Sequence, residues 1–382
     1  MDVKETLRKF DPNLPVERAS MPPAQWYTDD RFYDEERHAV LLSAWQPVCR
    51  VAQVTGAGAR MAGCFAGMPW VVVRDEGGQL RAFENVCRHK GAEVVAAGAG
   101  QDTRLRCQYH GWAYDLTGRL RSAPKMAGVQ DFDPKAYSLR PLQVQAWGPW
   151  VFIRREHRQD GLDTRLAPLT DMLDRTEWRG LTWVKSTRWT LQCNWKVYVD
   201  NYLDGGYHIP VLHPSLDAQL DLNSYETELY ETFNVQRSAA SAEPDGGRIG
   251  GGAIYAWLYP NFMVNRYGAC LDSNWVVPLG PHRCEVHYDF FFDATEGAEA
   301  EKQIAESIAQ SDVTQREDVA ISEAVQRGLK SGAYTPGRYA PRLEHGEHQF
   351  HCMLHTDLER YVTKKEAAAA AARPNSATER QP

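Results

Sequence analysis

The sequence lacks any apolar run of the roughly 20 residues that a membrane-spanning helix needs. Its most apolar stretches are as short as Trp70–Val73. It also begins without the charged and apolar regions of a secretory signal peptide, and it shows no internal repeat. We therefore expect a cytoplasmic protein with no membrane partner.

An excess of basic residues is missing too. The 43 Lys and Arg are outnumbered by 50 Asp and Glu, which gives a net charge of -7. Because a phosphate backbone attracts basic surfaces, this charge argues against nucleic acid as a partner. The length of 382 residues exceeds the usual size of one hydrophobic core, so we expect two domains.

The cysteines do not form the closely spaced pattern of a disulfide-rich secreted protein. In a reducing compartment, such a spread favours free thiols or metal ligands. The eight residues are Cys49, Cys64, Cys87, Cys107, Cys193, Cys270, Cys284 and Cys352.

The composition of the sequence changes three times along the chain. A charged, proline-containing lead-in that is expected to be extended covers residues 1–44, and short β-rich runs broken by glycine cover residues 45–155. A charged linker at 156–182 opens a second domain at 156–363. The alanine-containing tail at 364–382 is expected to be disordered.

Local patterns predict the elements of these domains. Tyr255, Trp257 and Tyr259 alternate, which places them on one side of a strand. The predicted elements are a short helix at 34–43, a hairpin joining 69–74 to 80–83, a strand at 150–153, a helix at 194–204, strands across 250–293 and a long amphipathic helix or helix pair at 298–330.

Two short segments combine one cysteine with one histidine. Cys87 and His89 are separated by one residue, and Cys107 and His110 by two, with seventeen residues between the pairs. Two thiolates can hold one iron of a [2Fe–2S] cluster while two imidazoles hold the other. A tetrahedral zinc site is the alternative, although zinc fingers usually keep their cysteines and histidines in separate pairs.

The pattern Cys-x-His followed by Cys-x-x-His, with Gly111 and Trp112 after the last histidine, resembles the Rieske [2Fe–2S] family. The resemblance implies a small all-β domain that carries the cluster on Cys87, His89, Cys107 and His110.

A second group of candidate ligands lies downstream. His208 and His213 stand five residues apart, close to glycine and proline residues that allow both to turn toward one ion. A carboxylate would complete the two-histidine, one-carboxylate triad of mononuclear non-haem Fe(II), which leaves open positions for O2. Core packing of the two histidines is the alternative interpretation.

Asp318 is the candidate carboxylate. It shares a helical stripe with Ile321, Val325 and Leu329, and a carboxylate on a buried stripe needs a partner such as a metal. The charged neighbours Glu317 and Glu323 do not lie on this stripe, so we expect them to be solvated charges.

With both groups present, residues of about 40–360 resemble the α subunits of ring-hydroxylating Rieske oxygenases. The resemblance implies an α+β fold: a Rieske domain followed by a larger helix-grip (START-like) catalytic domain with an antiparallel sheet flanked by helices. It assigns the mononuclear Fe(II) to His208, His213 and Asp318, with O2 as co-substrate.

The family often carries an acid three residues before the first ligand histidine, which bridges to the cluster of a neighbouring subunit. That position is Gly205 here, so Asp204, four residues before His208, is the expected bridge to His110 of the partner subunit. Asp200 is the second choice, and simple capping of a helix end is the alternative role of Asp204.

The chain also lacks a dinucleotide-binding fingerprint, because its glycine clusters at 98–100 and 246–250 do not fit that pattern. We therefore expect a separate NAD(P)H-dependent reductase, with a ferredoxin as an optional second carrier. Electron transfer between subunits further implies a ring-shaped homo-oligomer, with a homotrimer expected.

The segments 200–208, 259–268, 277–281 and 325–329 resemble the choline monooxygenase branch of the family. The resemblance implies monooxygenation of a quaternary or tertiary ammonium compound of the choline, betaine or carnitine type, by hydroxylation or N-demethylation. Aromatic rings hold such cations, and the candidates are Tyr255, Trp257, Tyr259, Phe262, Tyr267 and Trp275.

Packing of these rings in the sheet is the alternative. Other functions stay open as well: a hydroxylase or dioxygenase of aromatic or polycyclic metabolites, a non-catalytic Rieske electron carrier, or a zinc-stabilised binding module.

Overall fold

The structure is a computed structural model that describes residues 2–156, 158–240 and 252–371. Its first sheet has the strand order β1-β10-β9-β4-β3-β2-β5, and a small second sheet has the order β6-β7-β8. The strands are β1 (Gln46–Arg50), β2 (Ala59–Phe65), β3 (Met68–Arg74), β4 (Leu80–Glu84), β5 (Gly98–Gln101), β6 (Leu105–Arg106), β7 (Ala113–Tyr114), β8 (Leu120–Ser122), β9 (Pro141–Trp147) and β10 (Trp150–Arg154).

These two sheets form the all-β part of the chain. The predicted hairpin is confirmed, because β3 pairs antiparallel with β4, and the strand predicted at 150–153 is confirmed as β10. Valines of β3 are fully buried between the layers, as expected for branched side chains on a pleated surface. One glycine cluster of the sequence, at 98–100, lies in β5, and the other, at 246–250, is outside the described residues.

The third sheet is antiparallel throughout and runs β11-β17-β16-β15-β14-β13-β12. Its strands are β11 (Thr182–Leu191), β12 (Leu220–Leu229), β13 (Phe233–Ala240), β14 (Gly252–Leu258), β15 (Phe262–Tyr267), β16 (Cys270–Gly280) and β17 (Arg283–Phe292). The α+β class is therefore confirmed, with helices packed against one large antiparallel sheet.

The helices lie at the beginning of the chain and around this third sheet. They are α1 (Val3–Leu7), α2 (Gln25–Thr28), α3 (Asp30–Glu36), α4 (Leu162–Asp174), α5 (Trp195–Leu203), α6 (Ile209–Leu212), α7 (Pro214–Asp217), α8 (Ala298–Lys330) and α9 (His345–Ala371). A π-helical turn at Arg37–Leu41 continues α3, so the short helix expected at 34–43 begins four residues earlier.

The helices predicted at 194–204 and 298–330 are confirmed as α5 and α8. Two expectations are wrong. The predicted linker at 156–182 contains α4, whose four buried leucines pack against tryptophans of the first sheet. The predicted disordered tail is helical as far as Ala371, and residues 372–382 lie outside the described part of the chain.

The buried face of α8 also differs from the expected stripe. Ile321 and Val325 are exposed, whereas the buried positions that flank Asp318 are polar. Small or hydrogen-bonding side chains occupy them, because this face packs on α5 and supplies partners rather than apolar bulk. These positions are Ser307, Ser311, Gln315, Ser322 and Gln326.

A buried ion pair connects the beginning of the chain to the third sheet's helices. Lys196 Nζ of α5 lies 2.5 Å from Glu36 Oε1 of α3, and both side chains are completely buried. Trp195 Nε1 donates to the other carboxylate oxygen of Glu36 at 3.0 Å. The residues predicted to be an extended lead-in therefore pack into the core, where they help to position α5.

Among the described residues, every helix is too short or too polar to span a membrane. All eight cysteines lie in the described residues, and none of them forms a disulfide.

Candidate functional site

The four residues of the Cys/His pairs lie on two loops with matching conformations. In the first loop, the Gly91 N–H donates to Cys87 O at 3.0 Å, and in the second the Gly111 N–H donates to Cys107 O at 3.0 Å. Both glycines have positive φ, +77° and +72°, which a side chain would strain. Each loop therefore turns back after presenting its cysteine.

The loops bring the four side chains together. The rings of His89 and His110 have centroids 4.7 Å apart. Burial raises the pKa of the Cys107 thiol, and the neighbouring Cys87 thiol raises it further. The raised pKa means that the thiolate form of Cys107 is unfavourable without a partner. Coordination of the thiolate by a metal would remove this cost.

The donor set fits a Rieske cluster. His89 Nδ1 is buried without a hydrogen-bond partner among the described residues, although its ring is held in place by stacking on Trp112 at 5.0 Å. An orphaned imidazole nitrogen beside two thiols is what two-thiolate, two-imidazole ligation of [2Fe–2S] requires. His110, in contrast, lies on the exposed side of the site.

Tyr114 is a further residue at this site that the sequence did not reveal. Its hydroxyl lies 3.5 Å from Cys87 Sγ and accepts a hydrogen bond from the Arg88 N–H at 3.0 Å. A lone tyrosine seven residues after Cys107 carries no pattern from which this contact could be predicted.

The second group is built around the end of α5. Asn194 caps the start of this helix by accepting from the Lys196 N–H at 3.1 Å, and the helix ends at Leu203. Gly205 and Gly206 then take positive φ values of +71° and +79°. This left-handed double turn reverses the chain and places His208 beside α5.

His208, His213 and Asp318 converge, with one donor atom of each within 4.8 Å of the others. His213 Nε2 lies 3.1 Å from Asp318 Oδ1. Asn201 of α5 donates to the same carboxylate oxygen at 2.8 Å, which fixes the orientation of Asp318. Two imidazoles and one carboxylate on one side of a pocket match the facial triad of non-haem Fe(II).

Glu317 is not the solvated charge expected from the sequence. Its Oε2 lies 2.6 Å from His213 Nδ1, on the side of the ring opposite to Asp318. Burial lowers the pKa of His213, but the hydrogen bonds and negative charges of Asp318 and Glu317 outweigh it and raise the pKa. Glu323 is partly exposed, as expected for a solvated charge, and its carboxylate also accepts from the Gln192 N–H at 2.9 Å.

Asp204 both caps the helix end and contacts the first histidine. Its Oδ1 accepts from the Gly206 N–H at 3.0 Å, and its Oδ2 lies 2.5 Å from His208 Nδ1. Asp204 therefore caps the helix end and also contacts His208, whereas its role as a bridge to a partner subunit stays a prediction. Asp200, the second choice, is directed elsewhere: its Oδ1 lies 3.1 Å from His351 Nε2 of α9.

A pocket of about 120 Å³ adjoins the candidate ligands His208, His213 and Asp318. Polar groups of the large sheet close it, including Gln236, Asn265 and Asn274, and Asp272 lies in the same wall. Its aromatic lining consists of tyrosines: Tyr198, Tyr202, Tyr225, Tyr255, Tyr267 and Tyr288.

Only two of the six aromatic residues proposed from the sequence, Tyr255 and Tyr267, line this pocket. The other four have structural contacts: Trp257 donates to Pro260 O at 3.1 Å, Tyr259 to Asp357 at 2.9 Å and Trp275 to Gln46 at 3.0 Å, while Phe262 packs on Trp150. Alternation placed Tyr255 and Trp257 on one face, but it did not show how far along the strand the pocket extends.

Two protein-family models match this chain, one over its all-β part and one over the part that contains the third sheet. Residues 44–133 match the Rieske [2Fe-2S] domain, and residues 177–359 match the catalytic domain of the ring hydroxylating alpha subunit.

The matching relatives cover nearly the whole chain. The chain is 41% identical to the chloroplastic choline monooxygenase of Arabidopsis thaliana, over 94% of this chain and 87% of that protein. It is 27% identical to the carnitine monooxygenase oxygenase subunit of Escherichia coli strain K12, over 87% of this chain and 92% of that protein. A quaternary ammonium Rieske monooxygenase solved with L-carnitine superposes with a TM-score of 0.76 at 25% identity, covering 94% of this chain and 98% of its own.

Similarity of this extent, together with two converging donor sets, decides against a zinc module. The chain belongs to the Rieske oxygenases as an oxygenase α subunit, an oxidoreductase whose cofactors are a Rieske [2Fe–2S] cluster and a mononuclear iron that uses O2.

Proposed function

We propose that this chain monooxygenates a small quaternary or tertiary ammonium compound of the choline, betaine or carnitine type, by hydroxylation or N-demethylation. The observation that carries the proposal is the tyrosine-lined pocket next to His208, His213 and Asp318. The electron-rich faces of aromatic rings attract quaternary ammonium groups. The names of the choline and carnitine monooxygenases among its relatives support the same substrate class.

The size and charge of the pocket support a small cation. A volume of about 120 Å³ is well below the 300–1,000 Å³ typical of pockets for drug-sized ligands. Asp272, only 1% exposed, contributes a carboxyl group to the wall, held by the Asn265 amide at 2.6 Å and by the Tyr267 hydroxyl. A buried carboxylate attracts a cation more strongly than it would in water.

Within this proposal, Cys87 and Cys107 hold one iron of the cluster, and His89 and His110 hold the other. For the mononuclear site, we propose His208, His213 and Asp318 as the ligands. The orphaned Nδ1 of His89 supports the first assignment, and the convergence of three donors within 4.8 Å supports the second.

We further propose that Asp204 connects His208 to His110 of the partner subunit in a homotrimer. The contact of Asp204 with His208 Nδ1 supports this role. Exposed apolar side chains flank both ends of the proposed path: Tyr207 and Val211 are 59% and 87% exposed near Asp204, and Tyr109 is 62% exposed beside His110. Exposed apolar side chains at both ends of the path are compatible with burial against a partner subunit.

As a Rieske oxygenase component, the chain works with a separate reductase or ferredoxin. We propose an NAD(P)H-dependent reductase as the electron source. We also propose a cytoplasmic location, which the absence of disulfides among the eight cysteines supports.

When bound, the mononuclear iron supplies activation of O2 with electrons from the cluster. The residues of the chain bind and orient the substrate. The tyrosines orient the ammonium group so that a carbon beside nitrogen or oxygen faces the ligand side chains. Hydroxylation at that carbon gives a hemiaminal or gem-diol, which collapses to an aldehyde and, in the hemiaminal case, a demethylated amine.

The test measures O2 uptake and product formation by the holoenzyme with a surrogate reductase. Choline, glycine betaine and carnitine are compared with aromatic acids and with 3,3-dimethylbutanol, the uncharged carbon isostere of choline. If cation–π contacts contribute about 2 kcal/mol, the charged compound is preferred by roughly 30-fold in kcat/KM. Preference for an aromatic acid, or equal use of the isostere, would contradict the proposal.

Two measurements check the metal assignments. Iron and sulfide assays should give about three irons per chain, with a Rieske EPR signal after reduction. The variants H208A and D318A should keep that signal but lose turnover. Unchanged turnover in both would instead indicate that these residues do not hold the catalytic iron.

A further inference from the structure

We propose that a pocket between the first sheet and the helices of the third sheet binds a small organic anion, with a carboxylate or phosphate head group and an apolar body. The pocket has a volume of about 460 Å³, within the roughly 300–1,000 Å³ typical of small-molecule sites. No described residue lines both this pocket and the one beside the candidate iron ligands. The site is therefore separate from the proposed catalytic site, and the inference does not depend on the proposed substrate.

Elements from distant parts of the chain form the walls of this pocket. Strand β10 contributes Phe152 and Arg154, α4 contributes Arg165, and α9 contributes Met353 and Arg360. The turns that follow β12 and β14 close the other side. A bound molecule would therefore contact the first sheet and the third sheet together, so its binding should stabilise their packing.

The guanidinium group of Arg154 is the central feature of the pocket. Its side chain is only 2% exposed and lies over the Trp45 ring, 4.5 Å from the ring centroid. Nε donates to Gln143 Oε1 at 2.5 Å. Nη2 donates to the backbone oxygens of Arg158 and Asp160 at 3.0 and 2.9 Å. None of the described residues accepts a hydrogen bond from Nη1, so this buried donor is available to an anion in the pocket.

Arg165 adds a second guanidinium group to the same wall. Arg154 contacts Oδ1 of Asp160 at 3.0 Å, and Arg165 contacts Oδ2 of the same carboxylate. One carboxylate therefore balances two guanidinium groups, which leaves an excess of positive charge at this wall. Burial lowers the pKa of Arg154, which shows that Asp160 does not fully offset the cost of enclosing the charge. An anion between the two groups would accept charge-assisted hydrogen bonds from both.

The other charged residues of the lining do not cancel this excess. Arg158 is paired with Glu156 at 2.7 Å, and Arg360 is paired with Asp357. Glu231 is exposed, so solvent and salt screen its charge. The positive charge that remains therefore lies on the side of the pocket that α4 and β10 form.

The rest of the lining indicates that the ligand also has an apolar body. Large buried side chains surround the two guanidinium groups, and covering them with an apolar group removes further surface from water. An inorganic anion would leave this surface uncovered. The side chains are Trp45, Phe152, Leu162, Leu166, Leu258 and Phe262.

The first experiment is calorimetric titration of the holoenzyme in a buffer without phosphate. Benzoate and phenyl phosphate should each bind once per chain, and the tighter of the two identifies the head group. Benzamide, which has nearly the shape of benzoate but no charge, should bind at least about 10-fold more weakly, because hydrogen bonds to a charged group are stronger. Equal affinity for benzamide, or no binding of either anion at about 10 mM, would overturn the proposal.

A crystal of the holoenzyme soaked in 4-bromobenzoate locates the bound anion. The anomalous signal of bromine should lie in the pocket beside Arg154 and Trp45. A signal only beside His208 and Asp318 would overturn the anion site, and it would also count against an ammonium substrate. If no ammonium compound is oxidised but bromine lies beside Arg154, the proposed substrate fails and the anion site stands.

Two variants test the guanidinium groups themselves. R165Q changes a side chain that is 29% exposed, so the fold should tolerate it, and we expect benzoate to bind about 10-fold more weakly. R154Q should weaken binding further, because it removes the buried charge. The matched control is R121Q, which breaks an exposed ion pair with Asp115 outside the pocket and should bind benzoate as the wild type does. Wild-type affinity in R165Q would overturn the proposal even if R154Q does not fold.

Discussion

At the scale of single residues, Glu317 determines how His213 is held. Its carboxylate contacts Nδ1 at 2.6 Å and leaves Nε2 directed at Asp318. A carboxylate on the outer nitrogen orients a ligand imidazole and increases its basicity. We therefore expect E317Q to bind Fe(II) about 10–100-fold more weakly, as measured by chelator competition.

The control for this prediction is E306Q, an exposed position on the same helix. Equal Fe(II) affinity in E317Q, E306Q and the wild type would show that Glu317 does not support the metal site.

Tyr114 has a comparable role at the cluster, because its hydroxyl points at Cys87 Sγ from 3.5 Å. A hydrogen bond to a ligand sulfur stabilises the reduced cluster, which carries more negative charge. Removing it in Y114F should lower the reduction potential by about 40 mV if the bond contributes about 1 kcal/mol. Protein-film voltammetry checks this, with Y137F, a tyrosine of the same domain that packs on Trp112, as the control. A potential that does not fall in Y114F would exclude the hydrogen bond.

At the scale of secondary structure, α8 supports α5 through polar side chains rather than apolar bulk. Gln326 Oε1 accepts from the Asn194 N–H at 2.6 Å, at the residue that caps α5. The variant Q326L leaves this buried N–H without a partner, which costs about 1–3 kcal/mol in the free energy of unfolding. Denaturant unfolding of the fully loaded enzyme measures the loss.

Q310L, at an exposed position of α8, is the matched control. Equal unfolding free energies for Q326L and Q310L would mean that α5 does not depend on this contact.

At the scale of the whole molecule, the buried carboxyl of Glu347 makes stability depend on pH. Its pKa is raised by burial above the value of about 4.3 expected in the unfolded chain. At pH values between the unfolded and the native pKa of Glu347, the native state binds one proton more than the unfolded state does. The stability that this proton gives is present below the unfolded pKa and is lost as the pH rises through the native one.

Glutamine cannot ionise, so E347Q should gain stability relative to the wild type as the pH increases. The slope is at most about 1.4 kcal/mol per pH unit for one proton. Melting temperatures of both proteins between about pH 6 and about pH 8 measure it. A difference that stays constant, or that shrinks as the pH rises, would contradict a raised pKa for Glu347.

Much of this protein is determined by its sequence alone. The Cys-x-His and Cys-x-x-His pairs indicate the candidate cluster ligands because backbone turns at Gly91 and Gly111 fix their geometry locally. Helix α5 follows from its cap and spacing, since such patterns act over a few residues. The family, its cofactors and the converging histidines were predictable for the same reason.

The tertiary structure decided what depends on distant residues. Glu317 became a partner of His213 only because α8 packs beside the turn after α5, 104 residues away in sequence. The pocket consists of tyrosines from α5 and four strands, so no single periodic pattern could indicate which rings face it. The raised pKa of Glu347 likewise comes from its burial at the start of α9 and from the negative charges of Asp200, Glu344 and Asp204. Local sequence encodes turns, caps and ligand spacing, whereas burial and long-range neighbours set orientation and protonation.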